Sequence, residues 1–178
     1  MTVSWRGGLV VWVAALMVSG CSVVGSGSSP EAELRSRPSY EQAGREYLVM
    51  LEAMRAEISA AVPSLRWKTE KSYEDETRAG CAEPYAGLNG TTGFFDTGDA
   101  TGAVPDADWP AVVEIVTRIG AEHGFTQIVT LVDQPGHHVV NLYDGYESRI
   151  RMGTKVGTSL AVFGACFLEE SVRASSSG

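Results

Sequence analysis

Apolar residues recur at helical spacing in the first half of the chain. They lie three, four or seven positions apart at Tyr40, Tyr47, Leu51, Met54 and Ile58. This pattern predicts an amphipathic helix from about Tyr40 to Val62. Ser39, with Gln42 three residues later, matches a capping box, and Pro63 cannot continue the helix.

A second helical pattern lies further along the chain. One side of it carries Val112, Val113, Val116, Ile119 and His123. Asp108 is a residue type that caps helix N-termini, and Pro110 is tolerated in a first turn. Gly124 suits the left-handed position that follows a helix, so we expect this helix to end there.

Strand-forming segments account for most of the remaining apolar residues. They are Leu65–Tyr73, Phe125–Val132, His138–Tyr143, Tyr146–Met152 and Ser159–Leu168. Leu65–Tyr73 alternates with polar residues, which predicts one buried face. Ser159–Leu168 is apolar on both faces, as a central strand would be. The sequence at positions 134–137, Gln-Pro-Gly-His, fits a type II turn.

Asp144 and Gly145 separate two of these strands and are typical of a two-residue hairpin turn. Such a turn fixes the pairing of the flanking strands. The expected partners are Tyr143 with Tyr146, Asn141 with Ser148, and Val139 with Ile150. The other face would carry Glu147, Arg149 and Arg151, so we expect that face to be at least partly wet.

The element order predicts an α+β fold, with an antiparallel sheet of about five strands and two helices packed on one face. We expect a single domain over residues 39–170. Between Gly80 and Asp108 the pattern is neither helical nor alternating, and it predicts a long glycine-rich loop. Loops of this length are uncommon unless they are functional or disordered.

The N-terminus carries an export signal. Arg6 supplies positive charge, residues 9–18 are mostly apolar, and Val18-Ser19-Gly20-Cys21 forms a lipobox. The apolar run is shorter than the ~20 residues that cross a bilayer. We therefore expect residues 1–20 to be a lipoprotein signal peptide and Cys21 to be the site of lipid attachment. Residues 21–38, small and polar at first, would form a flexible tether, and residues 171–178 a disordered tail.

Charge limits the classes of partner. Without the signal peptide the chain has 13 Lys and Arg against 22 Asp and Glu, a formal charge of −9. This balance argues against nucleic acid and against electrostatic docking on anionic lipids. Membrane attachment would then come from acyl chains on Cys21. The expected location is the cell membrane, facing outside the cytoplasm.

Three cysteines are present, and lipidation of Cys21 leaves Cys81 and Cys166. An even pair in an oxidising compartment predicts a disulfide. The alternative is two separate buried thiols.

Several of these motifs together resemble a known family. They are the lipobox, the helix followed by Leu65-Arg66-Trp67-Lys68, a cysteine after that strand, a late β-meander, and Phe163-Gly164-Ala165-Cys166-Phe167. The chain resembles the LppA-type lipoproteins of mycobacteria over most of its mature length. The resemblance implies an envelope location and an α+β domain, and it transfers no active site.

Candidate catalytic and metal-binding residues are few. His137 and His138 are adjacent, so a strand would place them on opposite faces, away from a shared metal ion. Acidic residues of the long loop could bind calcium, but capping and solvation also explain them: Asp96, Asp99, Asp106 and Asp108. The sequence has no nucleophile elbow, phosphate loop or dinucleotide fingerprint. We expect no catalytic residue, no metal and no cofactor.

The long loop carries an unusual number of large apolar side chains: Tyr85, Leu88, Phe94, Phe95 and Trp109. They either cover one end of the sheet or line a groove for a ligand or partner. The resulting expectation is a non-enzymatic, lipid-anchored envelope domain that binds an apolar ligand or a protein partner. The alternative is an envelope-acting hydrolase that uses Asp96 or Asp99 with a histidine.

Overall fold

The computed structural model describes residues 28–68 and 77–175. The predicted signal peptide, Cys21, and the second half of the predicted strand Leu65–Tyr73 lie outside these ranges. The helices are α1 (Pro30–Ser36), α2 (Tyr40–Ala61), α3 (Trp109–Glu122) and α4 (Glu170–Ser175). The strands are β1 (Arg66–Trp67), β2 (Ala79–Gly80), β3 (Gly90–Thr92), β4 (Phe94–Asp96), β5 (Ala100–Thr101), β6 (Gln127–Gln134), β7 (His137–Tyr143), β8 (Arg149–Thr154), β9 (Gly157–Phe163) and β10 (Phe167–Leu168).

The fold is α+β, built on an antiparallel sheet, as predicted, but with more strands than expected. Seven strands form the main sheet in the order β1-β5-β9-β8-β7-β6, and β4 also pairs with β9. A second sheet of three strands has the order β10-β3-β2. Three of the additional strands, β3, β4 and β5, come from the predicted long loop, where segments of two or three residues pair with strands elsewhere in the chain. Such segments are too short to show an alternating pattern.

Helix α2 begins at the predicted cap, because the Ser39 hydroxyl accepts a hydrogen bond from the Gln42 backbone N–H at 3.1 Å. The Gln42 side chain bonds to Glu46 instead of closing the box. Helix α3 follows Asp108, whose side chain makes no capping hydrogen bond, and Gly124 has the left-handed φ of +86° expected after the helix. His123, predicted on the buried side, is exposed.

A single large core joins α2 and α3 to one face of the main sheet. The helices contribute Tyr47, Leu51 and Ile58 from α2 and Val112 and Val116 from α3. The core face of β7, β8 and β9 contributes Val140, Leu142, Ile150, Met152, Leu160 and Val162. Alternate residues of the same strands therefore lie on the opposite face, here called the outer face.

The predicted hairpin register is wrong. Tyr143 pairs with Arg149, Asn141 with Arg151 and Val139 with Gly153, so the loop spans residues 144–148. The Asp144 carboxylate causes the difference, because it accepts backbone N–H bonds from Tyr146 (2.8 Å) and Ser148 (2.7 Å). Arg149 and Arg151 lie on the partly wet outer face, but they share it with Tyr143, Asn141 and Val139, which were predicted on the opposite face.

The predicted strand Ser159–Leu168 is two strands in different sheets. β9 ends at Phe163, and the chain crosses to the small sheet through residues 164–166. At this crossing the Gly164 N–H donates to the Gly93 carbonyl at 2.8 Å. A Cβ at Gly164 would lie 3.0 Å from the Phe95 ring.

Two segments predicted to lack structure contain helices. The predicted tether, residues 21–38, includes α1, which Leu34 fixes by complete burial beside Cys166 and Leu168. The predicted tail, residues 171–178, includes most of α4, where the Arg173 side chain bonds to the Arg37 carbonyl. Among the described helices, none has the length and apolar character that crossing a bilayer requires.

Candidate functional site

The aromatic residues proposed for the long loop have different environments. Phe95 and Trp109 are 1% and 7% exposed and belong to the main core. Phe94 lies on the outer face, 5.0 Å from the Phe163 ring centroid. Tyr85 is half-buried and lines a surface pocket. Of the four candidate binding residues, Tyr85 lines a pocket and Phe94 is partly exposed, whereas Phe95 and Trp109 are taken up by core packing.

His138 is a buried residue whose ring lies between the carboxylates of two exposed residues, Asp106 and Asp133, in an Asp–His–Asp cluster. Its Nδ1 lies 2.8 Å from Asp133 Oδ1, and its Nε2 lies 3.0 Å from Asp106 Oδ1. The ring stacks on Trp109 at 5.1 Å and 17°. Asp106 also accepts the Gly136 N–H at 2.8 Å, so the cluster ties the start of α3 to the β6–β7 turn. The strand places His137 on the opposite face.

The cluster favours a charged imidazole. Burial by itself lowers the pKa of His138, but hydrogen bonds to Asp106 and Asp133 outweigh it and raise the pKa above its ordinary value. The hydrogen bond from His138, and then the Gly136 N–H, hold the pKa of Asp106 below its ordinary value. With both ring nitrogens bonded to carboxylates, His138 has no free nitrogen with which to act as a base.

The cluster predicts a pH dependence of stability. Because the folded-state pKa of His138 is raised, its contribution is complete below the unfolded pKa of about 6.5 and is lost as the pH rises through the folded value. Urea melts should therefore show a lower free energy of unfolding at pH 8.5 than at pH 6. His138→Gln should reduce this difference in the free energy of unfolding between the two pH values, whereas His137→Gln, the matched control, should keep it. If His138→Gln showed the same difference as the parent chain, His138 would not be the group responsible.

The proposed hydrolase pairing is not formed around His138. Its imidazole bonds to Asp106 and Asp133, whereas Asp99 lines a surface depression with Lys68 and Thr101. Asp96 accepts the Gly98 backbone N–H at 3.0 Å. Within residues 28–68 and 77–175, no three His, Cys, Asp or Glu side chains are arranged to hold a metal ion.

Cys81 and Cys166 come together where α1 meets the small sheet. Their Sγ atoms are 2.02 Å apart and their Cα atoms 5.7 Å apart, which is a disulfide geometry. Gly90 lies directly beneath them, since a Cβ there would be 2.4 Å from Cys166 Sγ. Leu34 and Leu168 pack around the pair. The pair links the residue that follows β2 to the residue that precedes β10.

Arg37 lies beside this pair and is 4% exposed. One terminal nitrogen donates to the Cys166 carbonyl at 2.9 Å; the other contacts the Glu33 carboxylate and the Tyr85 hydroxyl, the latter at 2.6 Å. The guanidinium lies over the Tyr85 and Tyr146 rings, at 4.7 and 5.4 Å from their centroids. The hydrogen bond from Tyr85, and then that from Arg37, hold the pKa of Glu33 below its ordinary value, which keeps this partner charged.

The third nitrogen of Arg37, Nε, is buried and has no hydrogen-bond acceptor among the described residues. Arg37 lines a pocket of about 230 Å³, here called the Arg37 pocket. Its other lining residues are Cys81, Ala82, Glu83, Pro84, Tyr85, Thr92, Tyr146, Glu147, Gly164, Ala165 and Cys166. Sequence reasoning missed Arg37, because it lies in the predicted tether. The sequence does contain a sign of α1, the helix that precedes Arg37: Ser29 is followed by Pro30 and acidic residues, which is typical of a helix N-terminus.

Solved structures show the same class of fold. The crystal structure of LppA from Mycobacterium tuberculosis superposes with a TM-score of 0.65 at 19% identity, covering 79% of this chain and 85% of that one. A DUF4853 family protein from Actinomyces odontolyticus superposes with a TM-score of 0.53 at 12% identity, covering 76% and 72%. At these identities the likeness extends to the fold alone. No curated protein matches the chain in sequence.

These features define an α+β domain with the fold of the LppA crystal structure. Residues 26–170 match the sequence model of LppA, described as a lipoprotein confined to pathogenic Mycobacterium. The chain belongs to the LppA family.

Proposed function

We propose that the protein is anchored to the cell membrane through lipid on Cys21, faces outside the cytoplasm, and binds a protein partner at the Arg37 pocket. Family membership supports the anchor, as does the apolar run that ends in the lipobox. The cysteine pair supports an oxidising location, since disulfides persist outside the cytoplasm.

The observation that carries the binding role is the unpaired Arg37 Nε beside a pocket. A buried donor without an acceptor costs about 1–3 kcal/mol. A partner that brings a carbonyl or carboxylate oxygen to Nε would remove this cost, and Arg side chains are enriched at interface hot spots. Tyr146, 40% exposed and packed edge-on against Phe167, offers an aromatic contact at the same opening.

The size of the pocket favours a partner over a free apolar ligand. Its volume of about 230 Å³ lies below the ~300–1,000 Å³ of typical small-molecule sites. Glu83 and Glu147 also line it, so its walls are partly polar. One protruding side chain or a turn of a partner protein matches this volume and polarity. The apolar rings of Phe95 and Trp109 are buried in the core and so are not available to an apolar ligand.

Site-specific crosslinking tests this proposal. A photoreactive phenylalanine analogue at Ala82, exposed on the pocket wall, should yield a discrete crosslinked species in intact envelopes. Excess purified domain should compete for it, and Arg37→Lys should abolish it because lysine has no Nε–H donor at that position. The matched control places the analogue at Glu122, an exposed residue of α3. Identical products from both positions, or products that resist competition, would contradict the proposal.

Lipid attachment makes a separate prediction. Replacing Cys21 with Ala should release the protein from the membrane fraction, because acyl chains are expected to provide the anchorage of this acidic chain. Fractionation with a high-salt wash, followed by immunoblotting, measures the release. Ser22→Ala is the control and should stay bound. Retention of Cys21→Ala in the washed membranes would rule out this anchor.

A further inference from the structure

The outer face of the main sheet has a regular arrangement of side chains. In one row across β7, β8 and β9, Val139, Gly153 and Ser159 are neighbours. In the next row, Asn141, Arg151 and Ala161 are neighbours, followed by Tyr143, Arg149 and Phe163. The first row has small or short side chains, and the next two rows carry the arginines. One end of the outer face is therefore formed by small side chains, and the other end carries the two arginines.

The end with small side chains is a shallow depression of about 230 Å³, and Gly153 lies in its floor. The charged or ionisable groups that line it are His137, Arg151 and Lys155, and Ser159 adds a hydroxyl. No carboxylate is among the lining residues of this depression. In a chain with a formal charge of −8, this is a local reversal of the overall sign.

Arg151 is held in position and keeps free donors. Its Nε donates to Asn141 Oδ1 at 3.1 Å, and the Asn141 amide donates to the Tyr143 hydroxyl at 3.0 Å. Asn141 is 1% exposed, so this support is itself fixed by packing. The described residues give Arg151 no carboxylate partner, and its terminal nitrogens have no acceptor there.

A second cation extends the positive face. Arg149 lies 4.2 Å over the Phe163 ring, and its Nε has no acceptor among the described residues. The register places one carboxylate on this face of β4, at Asp96 beside Ala161. Asp99 lines the adjoining depression together with Lys68, a cation that offsets it. The balance of charge around Gly153 remains positive.

We propose that this depression is a binding site for a phosphate group, here called the Gly153 site. A guanidinium, an ammonium, an imidazole and a hydroxyl converge on it, and a tetrahedral oxyanion has enough oxygens to accept from all four. A carboxylate has two oxygens and would leave donors unpaired. The phosphate is supplied by an anionic lipid headgroup of the membrane or by a soluble phosphate ester, since both present the same group.

The test titrates inorganic phosphate into the isotope-labelled full chain and follows backbone amide shifts. The expected result is saturable movement of the amides of Gly153, Lys155 and Ser159. Arg151→Gln with Lys155→Gln should weaken binding about tenfold or more, because charge-assisted hydrogen bonds are lost. Arg35→Gln with Arg118→Gln, the matched control, removes the same charge from α1 and α3 and should leave binding unchanged.

A second variant tests the site with a substitution that the fold can accommodate. A Cβ at Gly153 would make ordinary contacts, 3.5 Å from Val139 and 3.7 Å from Ser159, so Gly153→Ala should fold normally while filling the floor. It should also weaken phosphate binding. Shifts that fail to saturate, or that are equal in the site and control variants, would overturn the proposal.

Vesicles identify the source of the phosphate. Co-sedimentation of the unlipidated chain with phosphatidylglycerol vesicles, and not with phosphatidylcholine vesicles, would assign the site to anionic headgroups, provided Arg151→Gln with Lys155→Gln abolishes it. Phosphate binding without co-sedimentation would assign it to a soluble ester. Failure of both probes to bind would refute the Gly153 site and leave the Arg37 pocket unaffected.

Discussion

Replacing Phe95 with Ala should destabilise the fold by about 3–5 kcal/mol, the usual cost of removing a fully buried ring. Phe95 is 1% exposed, and its centroid lies 5.5 Å from both the Tyr40 and Tyr47 rings. The cavity would open between β4 and α2, which carries both tyrosines. For a domain of this size we expect a fall in Tm on the order of 10 °C.

Phe94→Ala is the matched control for this substitution. Phe94 is the preceding residue on β4, but it lies on the outer face and is half-buried against Phe163. Its loss removes less contact area, so the change in free energy should be well below that of Phe95→Ala. Urea melts of both variants measure the difference. Equal losses, or a stable Phe95→Ala, would show that Phe95 does not pack in the core.

The two long helices could be predicted because their apolar residues repeat over many positions. α2 spans 22 residues and α3 spans 14, so a helical period is visible in each. The short strands β3, β4 and β5 have two or three residues each, which is too few for a period. Their pairing depends on distant partners on β9 and β10, and local pattern carries no such information.

The hairpin error has a specific physical origin. Asp144 followed by Gly145 favours a two-residue turn, but a side-chain carboxylate can replace backbone acceptors. Asp144 bonds to the N–H groups of Tyr146 and Ser148, and Glu147 adopts a φ of +73°. These contacts stabilise a longer loop, and the shift moves Val139 from the expected pair with Ile150 to a pair with Gly153.

Both candidate sites depend on such long-range placement. Arg37 precedes Tyr85 by 48 residues and Cys166 by 129, so only the folded chain brings them together. The Gly153 site depends on the register that the loop at 144–148 sets. The sequence did predict that Arg149 and Arg151 share the wet face, because alternation alone decides that. It did not predict which residues stand beside them.

Replacing Cys166 with Ala should lower the free energy of unfolding by about 2–5 kcal/mol. The cysteines are 85 residues apart, and cross-linking a loop of that length stabilises by about 4.6 kcal/mol in the chain-entropy model. The bridge lies where α1, the small sheet and the Arg37 pocket meet. In Cys166→Ala we therefore expect this region to unfold more readily than the main sheet. Thermal melts should show a fall of several degrees.

Reduction provides the matched control for this prediction. Dithiothreitol should lower the Tm of the parent chain towards that of Cys166→Ala, and it should leave the Tm of Cys166→Ala itself unchanged. A Cys81→Ala variant should behave like Cys166→Ala, since either change breaks the same bond. The double variant should lose little more free energy of unfolding than either single variant. Peptide mass mapping of unreduced protein from the envelope should recover Cys81 and Cys166 in one linked peptide pair. Two free thiols in that protein would exclude the disulfide, and the alternative of two separate buried thiols would then hold.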